Sequence, residues 1–301
     1  MAGETAATGV LLVDKPGGLT SHDVVSRSRR ALNTRKVGHA GTLDPMATGL
    51  LVLGVGAATR LLTYVVGLDK TYETTILLGA STDTDDADGT VVSRADAPTL
   101  QAVTDEQIRA GIVALTGDIE QVPSTVSAIK VAGRRAYDLA RAGEDVVLAS
   151  RAVTVSRFEV LAVRRAAEVI ELDAVVDCSS GTYIRALARD LGTALGVGGH
   201  LTALRRTRIG SFDVSRAVDL EHIDPDALLQ PAAAAAMALP TLAVSDDEAR
   251  DLRHGKRLSG AASRVAATPA AAIGPDGALI GVLERRGGDL KSAMNMPEEL
   301  A

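Results

Sequence analysis

Segments patterned as strands and segments patterned as helices alternate along this chain in no regular period, and that irregularity restricts the fold more than any other property of the sequence. Residues 9–13 (GVLLV) read as a buried strand stopped by Pro16, Gly17 and Gly18, after which Thr20 or Ser21 can cap a helix carrying Val24 and Val25. Residues 50–67 form a near-continuous apolar run broken at Gly54 and Gly56, expected to be a buried strand and then a short helix. Tyr72, Thr74, Ile76 and Leu78 alternate with Thr71, Glu73, Thr75 and Leu77, the period of two that marks a strand. Val103, Ile108, Ile112 and Leu115 suggest one helix over 101–117, ended by Gly117, and Ala132-Gly133 suggests a hairpin leading into another helix. Residues 153–165 and 169–180 and the piece after Ser211 read as strands, with a helix over 182–195. A Rossmann sheet would repeat its strand-helix units evenly. The expected class is therefore α+β, with a mixed, mainly antiparallel sheet flanked by helices.

Residues 231–237 open with a proline at the first helical position and run on in alanine, which predicts a helix. Composition then changes near Leu239, and RVAATP with AAIGPDGALIGVLE gives the tail strand signals of its own. The expected division is a larger domain over residues 9–238 and a small β-rich domain over residues 239–301.

Net charge of -6 would by itself speak against a polyanionic partner. The charge is unevenly placed, however. Residues 15–36 hold Lys15, Arg27, Arg29, Arg30, Arg35 and Lys36 against Asp23 alone, whereas residues 69–106 hold nine acids against Lys70 and Arg94. Arg205, Arg206 and Arg208 add a second basic cluster, so an acidic total coexists with basic faces and nucleic acid stays open. The plainer reading is that Arg27, Arg29 and Arg30 line the wet side of a helix.

The single cysteine, Cys178, allows no intramolecular disulfide, and its place in an alternating apolar strand fits a buried thiol better than a nucleophile. A cytoplasmic location is expected. No apolar run approaches the roughly 18 residues of a membrane span, and the N-terminus lacks the pattern of a signal peptide. His22, His39, His200, His222 and His254 show no paired ligand spacing, so no metal is expected. Gly54-Val55-Gly56 has Thr59, and Gly196-Val197-Gly198 has Leu201, where the dinucleotide fingerprint needs a third glycine. TDTDDADG resembles a calcium loop but would begin its ligands at Thr84 and end them at Ala95, and it reads instead as a solvated turn.

The densest chemistry lies at VGHAGTLDPMATGLL, residues 37–51, where three glycines surround one histidine, His39, and one aspartate, Asp44. Alone, Asp44-Pro45 would read as a turn or a helix cap. In order along the chain, GVLLVDKPGGLTSHDVV, GHAGTLDPMATGLLVLGVGAATR, DKTYE, TDTDDADG, PSTVSAIKVAGRRAYDLAR, CSSGTYIRALARDLG and HLTALRRTRIG together resemble the bacterial tRNA pseudouridine synthase B (TruB) family across most of residues 9–215. The tail resembles that family's small PUA-like RNA-binding domain in position, length and β-rich pattern only.

The resemblance implies the pseudouridine synthase fold and isomerisation of uridine 55 in the T loop of tRNA, with no metal and no cofactor. The C1′–N1 bond would break, the uracil turn, and C1′–C5 form. Asp44 matches the family's catalytic aspartate, a carboxylate suited to dividing that step covalently, whether at ribose C1′, at uracil C6 or by way of a glycal. A hydrolytic glycosidase would instead need a second carboxyl group beside it. Arg185 matches the arginine that pairs with the aspartate, Tyr183 the tyrosine beside the target base, Tyr72 the one that stacks on it, Leu204 the apolar wall, and His39 the histidine that fills the space the flipped base leaves. Lys15, Lys70, Lys130, Arg134, Arg141, Arg205 and Arg206 are expected phosphate contacts. The T arm of tRNA is the expected partner, with a monomer, no obligate protein partner and no membrane. A tRNA-binding or folding chaperone and a synthase acting on ribosomal RNA are the alternatives.

Overall fold

A computed structural model describes residues 7–125, 130–131, 134–135 and 148–297. Arg141 lies outside the described residues, and Lys130 and Arg134 are described by backbone alone. The described residues fall into two compact units, one drawn from Met1–Pro45, Gly49–Leu68 and Arg208–Ala301, the other from Met46–Thr48 and Asp69–Thr207.

In the first unit the strand Gly9–Lys15 pairs antiparallel with the strand Thr48–Val55, in register from Gly9 opposite Val55 to Lys15 opposite Gly49. Residues 9–13 and 49–55 are apolar throughout because both faces are covered. Leu11, Val13, Leu51 and Leu53 meet Val24 and Val25 of the helix Ser21–Ala31. Val10, Leu12, Leu50 and Val52 share a second cluster with Phe212, Ala271 and Val282. The helix starts where Thr20 and Asp23 exchange hydrogen bonds: Thr20 Oγ1 accepts from the Asp23 amide at 3.1 Å, and the Asp23 carboxylate accepts from the Thr20 amide at 2.9 Å. A short strand, Val37–His39, pairs with the far end of Thr48–Val55.

The tail forms a five-stranded mixed sheet in the order Thr241–Ala243, Ala270–Ile273, Leu279–Arg286, Asp289–Asn295 and Arg257–Leu258. Only the first pair is parallel among those described. RVAATP, expected as a strand, does not form one; Pro269 has no amide to donate to a ladder, and the strand begins at the next residue. The helix Pro231–Ala238 starts on its proline as expected.

The second unit is built on the strands Gly199–Ile209 (as far as Thr207), Lys70–Leu78, Ile170–Cys178, Arg151–Arg165 and Gly117–Gln121, in that spatial order. From Lys70–Leu78 onward the pairs are antiparallel. Tyr72, Thr74, Ile76 and Leu78 are buried, matching the period-two reading. The helix expected over 101–117 is instead two helices, Ala97–Gln101 and Asp105–Ala114, because Thr104 caps a new start and shares a capping box with Gln107. Gly199–Ile209 was not expected as a strand. The helix Ile184–Ala194 lies so close to the turn that follows it that a Cβ on Gly192 would fall 2.2 Å from the Gly198 carbonyl carbon. Lys130–Val131 and Arg134–Arg135 pair as the expected hairpin. No helix among the described residues is long and apolar enough to cross a membrane.

Candidate active site

In the first unit, Asp44 sits half-buried in the loop between the strands Val37–His39 and Thr48–Val55, and no helix follows its proline. The backbone is fastened on both sides of it. On the N-terminal side, the buried Ser21 hydroxyl accepts from the Leu43 amide at 2.8 Å and donates to the Leu43 carbonyl at 3.2 Å. On the C-terminal side, the Pro45 carbonyl accepts from the Lys15 ammonium at 3.2 Å and from the Gly18 amide at 2.8 Å. Lys15 also donates to the carbonyls of Pro16 at 2.9 Å and Leu19 at 2.7 Å. The strand Gly9–Lys15, its turn and the following helix start thus converge on two residues, Leu43 and Pro45, with Asp44 between them. His39 is half-buried at the end of its strand, opposite Leu53.

In the second unit, Tyr72 lies opposite Val176 and is 7% exposed. Tyr183 is half-buried at the N-cap of the helix Ile184–Ala194, without a side-chain cap of its own. Gln121, at the end of the strand Gly117–Gln121 and fully buried, accepts from the Tyr183 amide at 2.8 Å and donates to the Tyr183 carbonyl at 3.1 Å. Arg185 is 3% exposed, donates to the Thr84 carbonyl at 2.7 Å, and stands 3.2 Å from the Asp86 carboxylate. One turn on, Arg189 reaches Asp85 at 3.1 Å and the Val122 carbonyl at 2.7 Å. Burial pushes the Asp85 carboxyl above its ordinary value. Leu204 is buried in the strand Gly199–Ile209.

The loop read as a solvated turn is therefore a built element. Asp86 is 4% exposed; its carboxylate accepts from Thr84 Oγ1 at 2.6 Å and from the Asp88 amide at 3.1 Å, and its carbonyl accepts from Thr82 Oγ1 at 2.8 Å. Gly89 permits this wrapping, since a Cβ there would lie 2.2 Å from Thr84 Oγ1. The backbone amide of Leu201 donates to Asp85 at 3.0 Å, tying the loop to the strand that carries Leu204.

Of the four residues expected to meet phosphate whose side chains are described, three are not on the surface. Lys15 is fully buried in its ring of carbonyls, Arg206 is 1% exposed and Lys70 5% exposed. Burial, with the neighbouring Arg206 charge, lowers the Lys70 ammonium to about 8. These three are corrected from surface contacts to interior cations. Arg205 is half-buried, with a nitrogen 3.5 Å from Thr48 Oγ1. The buried Cys178 thiol is pushed up to about 11 by desolvation, as suits an inert cysteine.

Asp86, Gln121 and Ser21 were missed from sequence. Asp86 carried a signal, in the threonines and glycine spaced around it; the other two show nothing until their partners are known.

Three family models match in sequence along the chain: the N-terminal domain of the TruB family pseudouridylate synthase at residues 29–184, the tRNA pseudouridylate synthase B C-terminal domain at 185–239, and the tRNA pseudouridine synthase II C-terminal domain at 239–297. The tRNA pseudouridine synthase B of Leifsonia xyli is 58% identical over 97% of both chains. That of an Arthrobacter strain is 56% identical over 95% of this chain and 96% of the relative. Among solved structures, a chain of a Cbf5–Nop10–Gar1 complex superposes with a TM-score of 0.70 at 24% identity, over 98% of this chain and 85% of that one. A chain of an H/ACA RNP bound to a substrate RNA gives 0.71 at 22% identity, over 98% and 86%. These two likenesses are of fold. The sequence matches, running through the loop that holds Asp44 and the helix that holds Arg185, show that this chain belongs to the TruB family of pseudouridylate synthases.

Proposed function

We propose that this protein isomerises uridine 55 in the T loop of tRNA to pseudouridine, with Asp44 as the catalytic carboxylate. The observation that carries the reading is the fastening of Asp44: Ser21 holds the residue before it and Lys15 with Gly18 the residue after it, so the carboxylate is borne on backbone that cannot drift. Family membership supplies the reaction class. Relatives 58% and 56% identical bear the name tRNA pseudouridine synthase B.

In this reading the target uridine leaves the loop for the pocket at a cost of about a few kcal/mol, and stacking on Tyr72, worth about 1 to 3 kcal/mol, offsets it. His39 occupies the vacated space and Leu204 walls the base. Asp44 assists cleavage of C1′–N1; the freed uracil turns and C5 bonds to C1′; the proton leaves C5 and N1 gains one. Tyr183 stands beside the base through that exchange, and Arg185 takes the place of the family arginine that pairs with the catalytic carboxylate. No metal or cofactor is required. Residues 9–238 serve as the catalytic domain and residues 239–301 as a PUA-like RNA-binding domain, in a cytoplasmic monomer.

The test is release of tritium from tRNA labelled at uridine C5. Asp44→Asn should abolish release while tRNA binding persists, and appreciable turnover by that variant refutes the assignment. Mapping pseudouridine in tRNA and ribosomal RNA from a strain lacking the gene fixes the position and the RNA class.

A further inference from the structure

A basic concavity of about 510 Å³ lies just beyond the helix Ser21–Ala31, lined by Arg29, Arg30, Asn33, Thr34 and Arg35. Four cations fall within eight residues there, counting Lys36, and among the described residues none of the four forms a salt bridge. Arg30, Arg35 and Lys36 are exposed. Arg29 is anchored, one guanidinium nitrogen donating to the Val37 carbonyl at 3.0 Å, and its Nε is buried with no partner among the described residues.

Two explanations compete. Arg29 and Arg30 stand in the last helical turn, where cations suit the carbonyl end of the helix. That account does not extend to Arg35 and Lys36, which lie past the helix. Nor does it explain four like charges, unneutralised among the described residues and three of them lining one hollow, in a chain with more acids than bases. Spread along a concave surface without aromatic residues or acids, the cations fit a chain of phosphates better than a single small anion.

We infer that this concavity is a phosphodiester-binding site, which holds the RNA backbone outside the nucleotide that reacts. The inference rests on the tRNA reading above. Arg29 bonds to Val37, at the start of the strand that ends at His39, so RNA held here is held by the same unit that carries Asp44. The site reads no bases; it adds affinity and salt dependence.

The experiment measures equilibrium binding of an unmodified tRNA transcript at several salt concentrations, with single-turnover tritium release at saturating enzyme. Arg30→Glu/Arg35→Glu should weaken binding about tenfold at moderate salt and lower the slope of log affinity against log salt by about 2, while the saturated rate stays unchanged. Arg30→Gln/Arg35→Gln, which removes charge without reversing it, should give a smaller loss in the same direction, and it covers the case in which the reversed variant fails to fold. Arg94→Glu/Arg109→Glu, the same charge change on other exposed arginines, serves as control. Unchanged affinity and slope in both site variants overturn the inference, as does an equal loss in the control. If the unaltered protein neither binds nor modifies tRNA, it is the reading of function that fails.

Discussion

The side-chain amide of Gln121 forms a closed ring of two hydrogen bonds with the backbone of Tyr183, accepting from its N–H at 2.8 Å and donating to its carbonyl at 3.1 Å. A strand edge normally offers such a pair with its own backbone; here a side chain does so, and it fixes the residue from which the helix Ile184–Ala194 departs.

Replacing Gln121 by Ala takes away the side-chain acceptor of the Tyr183 amide and one donor to its carbonyl, which still accepts from the Leu187 amide at 3.3 Å, and leaves a small cavity. Since a buried polar group without a partner costs about 1 to 3 kcal/mol, a total loss of about 2 to 4 kcal/mol is expected in urea denaturation. The turnover number should fall more than tRNA affinity, because Tyr183 is displaced before any phosphate contact is. A variant as stable and active as the parent would show that the ring is incidental.

Asp86→Asn takes the negative charge from beside Arg185 but preserves the acceptor for Thr84 and Asp88. Breaking one side of a buried ion pair costs about 3 to 5 kcal/mol. The expected outcome is a large loss of tritium release with the loop conformation kept, which protection of the loop amides in hydrogen exchange would report. Asp83→Asn, on an exposed residue of the same loop, should be nearly neutral for turnover.

Lys15→Met removes the donor shared by three carbonyls and keeps a side chain of similar length. Stability should drop by about 2 to 4 kcal/mol. Gly18 still holds Pro45, so the site is loosened and not dismantled, and residual turnover well above that of Asp44→Asn is expected. Any effect on the salt dependence of tRNA binding would contradict the interior placement of this lysine.

Lys70 predicts a pH dependence. Its folded value, about 8, lies below its ordinary value of 10.5, so between these limits the unfolded chain binds more of this proton than the folded one. Stability from this group is therefore complete above 10.5 and is lost as pH falls through 8, by up to about 3 kcal/mol. Denaturation measured from pH 7 to 9 should show stability rising with pH for the parent and a weaker rise for Lys70→Met. Identical slopes would dispose of the lowered ammonium.

Where one physical rule dominated, the residues could be read directly. Tyr72 to Leu78 alternate because one side of the strand is buried, and Thr20 with Asp23 forms a helix start from local chemistry alone. The strand Gly199–Ile209 escaped because its inward positions include His200, whose ring bonds to the Ala80 carbonyl, and the buried Arg206. An interior arginine looks like a surface one when its partners are unknown. Lys15 misled in the same way, since backbone carbonyls leave no trace in residue identity. The reacting positions were legible as a family pattern; the groups that fasten them, Ser21, Gln121 and Asp86, come from distant segments and emerge only when the chain is folded.

The cluster that joins Val10, Leu12, Leu50 and Val52 to Phe212, Ala271, Leu279 and Val282 has a consequence for biosynthesis. A ribosome delivers Val10 more than two hundred residues before the partners that cover one of its strand's faces. The first strands to emerge must therefore wait, half-clothed, until the last part of the polypeptide arrives, and a nascent chain stalled before residue 270 would expose that apolar face to chaperones and proteases.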